Sequence, residues 1–420
     1  MAVFQNNLLA GASAQSSGGA TYTIDQSIRF PRTSNTAGGY MSRTFGSAGD
    51  RTSWTWSCWF KLGSLNSFTP ASNLYYQFFA CDNATNDANR GSFHIIADSG
   101  VASAIAFQFQ AHSTSFIRTN RQFRDPSAWY HITLVWDSDN SMASERVRLY
   151  INGQRETNFA ASSNPSSGQE IGINLNATHR LGISYNIAGG AVNYPFDGYM
   201  ADIHFLDGYS YGPEYFGETN DSGIWIPKEY SGSYGSNGFK IDGRDSSDLG
   251  DDESGNGNDF TVSGLAAHDQ VSDSPTNSFS VMNPLANYYV QHTLKNGNLE
   301  ETTSTNGSYY SYSINNIGMT SGKWYVEVLF SGSSAAQMLT GISDRESQGG
   351  THYLGSQSYE YSYYNYNGKS INGATQSTYG NTYTTDDIIG IALDLDNSKL
   401  YFSKNGTFQN SGDPLILFPL

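Results

Sequence analysis

The chain has 420 residues and a net charge of −16, with 22 Lys and Arg against 38 Asp and Glu, and it is rich in Gly (44), Tyr (29) and Phe (23). That acidity argues against a nucleic-acid binder, which needs a basic face, and against docking to anionic membrane. No apolar run approaches the ~18 residues of a membrane span, so no membrane insertion is expected.

The patterned segments are built from Val, Ile, Tyr, Phe, Trp and Thr, with turn residues between them, and none keeps a helical period. The expected fold class is all-β: two antiparallel β-sandwich (jelly-roll) domains in tandem with an irregular bridging region. Residues 1–24 are low in charge and rich in Gly, Ser and Ala, and read as an attachment tail that orders on a partner or stays disordered. They lack the basic start and the long apolar run of a signal peptide.

Residues 25–211 read as the first sandwich. SIRF, WTWSCWFKL, YYQFFAC, FHIIAD, AIAFQFQ, WYHITLVW, THRLGI and FDGYMADIHFLDG are its strand candidates. In the second of these, Trp54, Trp56, Cys58 and Phe60 alternate with Thr55, Ser57 and Trp59, so one face is expected across the sheet interface. Cys58 then reads as a buried thiol, with a bridge to Cys81 the lesser alternative. Two cysteines are too few for a secreted disulfide scaffold. The stretch Trp129–Gly153 reads as a hairpin that breaks at DSDNS, returns as VRLYI and turns at Asn-Gly.

Residues 212–284 read as an acidic bridging region, with nine acidic residues against Arg244 between Asp242 and Asp273. GFKI and DFTV are short strands that would add to an edge of the first sandwich. Residues 285–420 read as the second sandwich, in which GKWYVEVLF places Trp324, Val326 and Val328 on one face. Asp386–Gly406 echoes the first hairpin. The chain stops at PLILFPL, where a closing strand is expected; the domain is read as lacking its last strand or receiving it from elsewhere.

Two stretches qualify as candidate sites. Tyr359, Tyr361, Tyr363, Tyr364 and Tyr366 offer apolar bodies with polar tips, suited to sugar rings or protein surfaces; cross-strand packing is the plainer alternative. Asp252, Ser254, Asn256 and Asp259 supply the oxygen ligands that calcium prefers, and Asp137–Asn140 is a second such run, although it also makes a good turn. No cofactor other than calcium is indicated. No paired carboxylates, Ser/His/Asp arrangement or phosphate loop is signalled, so catalytic residues are expected to be absent and the chain is read as not an enzyme.

SIRF, SCWFK, WYHITLVWD, RLYINGQ, LGIS and PFDGYMADIHFLDG together resemble the laminin-G-like, concanavalin-A-like lectin/glucanase sandwich. The family's glucanases often carry E-x-D-x-x-E on one strand, a spacing not found here; the strand carboxylates Asp202 and Glu327 stand singly. GKWYVEV, GIS and DIIGIALDLDNSKLYFSKNG resemble the SPRY domain. The segments FGET (216–219), WIPKEYSGSYGSNGF (225–239), ESGNGNDF (253–260) and SPTN (274–277) extend the likeness to virion-associated proteins of tailed phages of marine bacteria.

That resemblance implies a phage virion structural protein, assembled in the host cytoplasm. It would display lectin-like sandwiches for recognition of host-surface glycan or protein, as a tail fibre or appendage. The alternatives are a head decoration or head-fibre role and, further off, a polysaccharide-degrading enzyme. Other virion proteins are the expected partners of the N-terminal tail, and a homo-oligomer is expected because sheet edges need covering.

Overall fold

The computed structural model describes residues 22–63, 73–82, 90–99, 105–111, 114–126, 128–186, 191–278, 280–283, 288–289, 292–295, 298–303, 311–315, 318–332, 336–344 and 352–416. The tail expected at residues 1–24 lies outside them but for its last three residues. The fold is almost entirely β, and among the described residues no helix is long and apolar enough to cross a membrane. The chain divides into two compact units, Met1–Pro284 with Leu294–Thr302, and Leu285–Thr293 with Thr303–Leu420.

The first unit contains two eight-stranded sheets. One runs Gln154–Arg155, Val147–Ile151, Tyr130–Asp137, Ser53–Leu62, Gly198–Asp207, Ser27–Phe30 and Gln270–Val271, with Phe239–Ile241 also paired to Gly198–Asp207. The other runs Phe159–Ser162, Thr114–Thr119, Ile105–Ala111, Arg90–Ala97, Leu74–Asp82, Thr178–Leu181, Tyr40–Thr44 and Thr261–Ser263. Their facing sides interleave Trp54, Trp56, Cys58, Phe60 and Trp136 of the first with Phe78, Phe93 and Phe109 of the second, all without solvent exposure. Trp54 stacks on Trp136 at 6.2 Å and meets Phe109 edge-on at 6.1 Å, geometries in which ring quadrupoles attract. Cys58 and Cys81 are separate buried thiols.

Period-two alternation sets the registers. Tyr130–Asp137 pairs with Val147–Ile151 from Ile132↔Ile151 to Trp136↔Val147. Asn152 (φ 49°) and Gly153 (φ 74°) then make the tight turn into Gln154–Arg155. The second unit repeats the device: Ile388–Asp394 pairs with Lys399–Lys404, and Asn405 (φ 48°) and Gly406 (φ 78°) turn the chain into Thr407–Phe408. That unit has a five-stranded and a four-stranded sheet around Tyr361, Tyr363, Ile389, Ile391, Leu400 and Phe402. Leu415–Ile416 joins the five-stranded sheet beside Lys399 and Leu400.

The stretch 212–284, read from sequence as a bridging region, is built into the first unit. Its strands Phe239–Ile241 and Gln270–Val271 extend one sheet, Thr261–Ser263 extends the other, and Phe239 and Phe260 enter the core. Trp225, Tyr234 and Asp273 of this stretch reach the outer face of the first sheet, which is polar. Thr55 Oγ1 donates to Tyr209 O at 2.8 Å. Lys61, fully buried, places its Nζ 2.7 Å from Asp273 Oδ2, and Trp129 Nε1 donates to Asp273 Oδ1 at 3.1 Å. A buried charge is tolerated only when paired and hydrogen-bonded.

Replacing Lys61 by Met is therefore expected to destabilise the first unit by roughly 3–5 kcal/mol, because Asp273 keeps its charge without its cation. Lys61→Met combined with Asp273→Asn should cost clearly less than the two single changes added, as read by urea unfolding; simple additivity would show that the pair is not coupled. A second expectation concerns Asp197, whose carboxyl is raised by burial to about 7, with Arg32 opposing the rise. Its folded pKa lies above the unfolded value of 3.8, so the folded state holds the extra proton between these values and loses stability as pH climbs through that window. Asp197→Asn should leave the melting temperature near unchanged at pH 4 and raise it at pH 8.

Candidate functional site

The two sheets of the first unit differ in what lies over their outer faces. On the first sheet, Ser57 Oγ and His131 Nε2 stand 2.8 Å apart, and Trp225 Nε1 donates to His131 Nδ1 at 3.1 Å. Burial lowers the His131 pKa to about 3, so the ring is neutral and can accept that bond. Asp202, at φ 49° beside the bulge between Ala201 and His204, accepts from the Tyr22 hydroxyl at 2.9 Å and lies 3.1 Å from His204 Nε2. Burial alone would raise its carboxyl; the charge and hydrogen bond of His204, with Lys240 and Tyr22, outweigh burial and hold it at about 2. The Tyr234 hydroxyl and His204 Nδ1 are 2.9 Å apart. This face is shut.

The segments singled out in sequence are the closure. In 225–239, Trp225 reaches His131, while Tyr230 and Tyr234 pack on His204 and Phe216. Gly235, at φ 73°, passes so near Asp207 that a Cβ would lie 2.0 Å from its carbonyl oxygen. Asn237 N donates to Asp207 Oδ2 at 2.9 Å. In 274–277, the Thr276 hydroxyl donates to Ile24 O at 2.7 Å. Asp202, the strand carboxylate noted in sequence, is thus consumed by structural partners.

Asp252, Ser254, Asn256 and Asp259, read from sequence as calcium ligands, are engaged in hydrogen bonds within the chain. Asp252 Oδ1 accepts from the backbone N–H of Lys240 (2.8 Å) and Ser254 (2.9 Å), and Oδ2 from Ser254 Oγ (2.8 Å) and Asn258 N (2.8 Å). Asp259 Oδ1 accepts from Asp252 N at 3.1 Å. Asn256 turns its amide nitrogen to the carbonyls of Gly235 (2.7 Å) and Gly238 (2.9 Å). Donors ring the carboxylate where a cation would require converging oxygens. Asp137–Asn140 is a turn, closed by Asn140 N donating to Asp137 O at 3.0 Å. Among the described residues no group of three or more His, Cys, Asp and Glu could hold a metal ion.

The tyrosine cluster is divided by its strand. Tyr361 and Tyr363 point into the core of the second unit, where Tyr363 packs on Phe402 at 5.4 Å and Tyr379 at 5.7 Å. Tyr359 and Tyr364 are half-buried and Tyr366 is 69% exposed. Tyr361 and Tyr363 thus follow the packing alternative, while Tyr359, Tyr364 and Tyr366 stay toward the surface. The cause is the alternation itself, which turns every second residue inward.

The second sheet of the first unit carries on its outer face a polar row that sequence reading passed over. Phe93, Ile95, Phe107 and Phe109 face the core, so their neighbours face out. Gln77, His94, Gln108 and Arg118 are successive cross-strand partners, one from each of four adjacent strands. Gln108 and Arg118 are half-buried; Gln77 and His94 are 4% and 2% exposed. His94 Nε2 lies 3.4 Å from Gln108 Oε1, whose amide donates to Ser115 Oγ at 3.2 Å. Arg118 pairs with Asp98. Burial lowers His94 to about 4, with the hydrogen bond to Gln108 opposing and Arg118 assisting. The ring is neutral at pH 7, with its proton on Nε2 toward the Gln108 oxygen and a lone pair on Nδ1. Among the described residues neither His94 Nδ1 nor Gln77 Oε1 has a hydrogen-bond partner.

Two aromatic rings border these acceptors. Tyr75 meets His94 edge-on at 5.1 Å, and Tyr194 lies 4.8 Å from Tyr75. Tyr194 is 37% exposed and adopts φ 59°, a region bulky residues rarely occupy. Its backbone is pinned there, its N–H donating to Asn35 O at 2.9 Å and its carbonyl accepting from Gln77 N at 3.3 Å. The signal that could have found this face is the alternation in FHIIAD and AIAFQFQ, where His94, Gln108 and Gln110 fall on the side opposite the phenylalanines.

Residues 35–209 match the Concanavalin A-like lectin/glucanases superfamily, laminin G type, and residues 322–412 match the SPRY domain. The chain carries both domains. No curated protein matches it. Among solved structures it is similar to a SAP-like pentraxin from Limulus polyphemus, at 18% identity over 45% of this chain and 78% of the pentraxin, TM-score 0.33. It is also similar to tailspike protein 2 of an Escherichia coli O157:H7 bacteriophage, at 15% identity over 47% of this chain, TM-score 0.27, and spans only 28% of that tailspike. Domains LG4-5 of the mouse laminin alpha1 chain align over 94% of this chain and 79% of their own, at 8% identity and TM-score 0.30. At these levels none of them speaks for function.

The donor-ringed Asp252 generates an expectation. Asp252→Ala should lower stability by about 1–3 kcal/mol by stranding buried N–H groups, while the melting temperature of the unaltered protein stays the same in EDTA and in millimolar calcium. A rise with calcium would restore the cation reading.

Proposed function

We propose that this chain is a glycan-recognition protein of a phage virion, displayed on a tail fibre or appendage, and that it binds and does not catalyse. The observation that carries the binding reading is a pair of acceptors without a partner among the described residues, Gln77 Oε1 and His94 Nδ1, beside Tyr75 and Tyr194. An unmade hydrogen bond at a buried polar atom costs about 1–3 kcal/mol, so a ligand that brings hydroxyl donors recovers that cost. Sugars bring several hydroxyls and an apolar ring face that stacks on tyrosine. Both acceptors are closed to solvent, so a ligand engages them only when the side chains over them move aside. The lectin-type fold of residues 35–209 agrees with this chemistry. The virion assignment rests on the segments 216–219, 225–239, 253–260 and 274–277 and their likeness to virion-associated phage proteins. Weak sites repeated on one particle would gain avidity through their number.

The test is a glycan array probed with the full chain, followed by calorimetry on the sugars it retains. His94→Phe and Gln77→Met keep bulk and remove the acceptors; each should weaken binding about five- to tenfold, with melting temperature unchanged or raised. Because the free protein's His94 protonates near pH 4, affinity should be flat from pH 8 to pH 5 and fall below about pH 4. Sugar binding indifferent to both substitutions would move the site elsewhere. Immunogold label over the capsid of purified virions, with none at the tail, would replace the appendage by a head decoration.

A further inference from the structure

The second unit leaves one strand unfinished. Lys323–Leu329 is the end strand of its five-stranded sheet, paired on one side with Ile388–Asp394 from Lys323↔Asp394 to Leu329↔Ile388. Among the described residues nothing pairs with its other side. The neighbouring hydrogen bonds fix which residues face which way. Phe330 N donates to Asp387 O, Asp386 N donates to Phe330 O, and Leu395 N donates to Gly322 O. Even-numbered residues therefore turn their backbone groups inward to Ile388–Asp394, and Lys323, Tyr325, Glu327 and Leu329 present theirs to the open edge.

The side chains are as exposed as the backbone. Trp324 is 38% exposed, Tyr325 56%, Val326 39% and Leu329 59%. Trp324 and Val326 stand opposite Leu393 and Ile391, both of which are buried in the core. The core face of the sheet thus continues past its cover onto this strand. An exposed apolar edge is an invitation to strand addition, and soluble proteins normally block it with charge, proline or a bulge. Here there is neither proline nor bulge, and the two charges, Lys323 and Glu327, lie four residues apart.

We infer that this edge pairs antiparallel with the same strand of a second copy, centred on Tyr325. That register sets Tyr325 against its equivalent, Lys323 against Glu327 twice, and Trp324 against Val326 twice. All the odd-numbered residues have their backbone groups on the open side, so the register makes closely spaced hydrogen-bonded pairs at 323, 325 and 327. The strand is self-complementary in charge, in apolar pairing and in hydrogen-bond phase together. The contact is isologous and closes at two copies, joining two five-stranded sheets into one. It stands independently of the glycan face of the first unit.

The test is the mass of the full chain by light scattering and sedimentation at micromolar concentrations. A dimer is expected. Glu327→Lys sets like charges opposite each other twice and should raise the dissociation constant about tenfold or more. Lys323→Glu combined with Glu327→Lys restores opposite charges and should recover the dimer. Tyr325→Pro removes an N–H from the open side only and should give a folded monomer. A monomer at all concentrations up to about 100 µM, a trimer or an open-ended assembly, or a dimer indifferent to Glu327→Lys would each overturn the inference.

Discussion

The Lys61 ammonium has no route to water, and much of the first unit follows from that constraint. Lys61 lies on the outer side of a strand whose inner side carries Trp54, Trp56 and Phe60. A sandwich ordinarily leaves its outer sides to solvent. Here the outer side also holds Thr55, Ser57, His131, Asp202 and His204, all but sealed from solvent. Side chains between Tyr209 and Asp273 close over them and supply partners: Asp273 to Lys61, Trp225 to His131, Tyr234 to His204. With the outer side of one sheet closed by its own chain, the proposed ligand face falls to the outer side of the other.

Composition and period-two alternation were enough to read two sandwiches, because an inward Trp or Phe at every second position leaves a strand little choice of face. The Asn-Gly turns were legible for the same reason: Asn152–Gly153 and Asn405–Gly406 take the positive φ values that their residue types favour. The role of 212–284 was harder to see. Its acidic residues suggest a solvated loop, yet Asp252, Asp269 and Asp273 are each buried among donors. Charge in sequence does not say whether a carboxylate meets water or a ring of N–H groups.

The candidate site was missed for a related reason. Tyrosine runs attract notice, but Tyr361 and Tyr363 are aromatic because they fill a core. The polar row Gln77, His94, Gln108 and Arg118 is assembled from four strands spread over 42 positions, counting from 77 to 118. Only strand register brings those residues into line, and register is fixed by bulges such as the one between Gln77 and Phe79 that the sequence does not announce. Tyr194, held at positive φ by its backbone hydrogen bonds, is equally invisible without coordinates.

The closure also bears on how the lectin module can be moved. The superfamily match ends at residue 209, where a domain would ordinarily be cut for grafting onto another protein. A graft severed there would carry Lys61, His131 and His204 to the surface of its new host without Asp273, Trp225 or Tyr234. It would also lose Phe239 and Phe260 from between its sheets. The transplantable piece is the sandwich together with its strap, through Thr276, whose hydroxyl ties the strap back to Ile24, just ahead of the strand Ser27–Phe30. A hybrid built with that longer piece keeps Lys61, His131 and His204 with the partners that bury them.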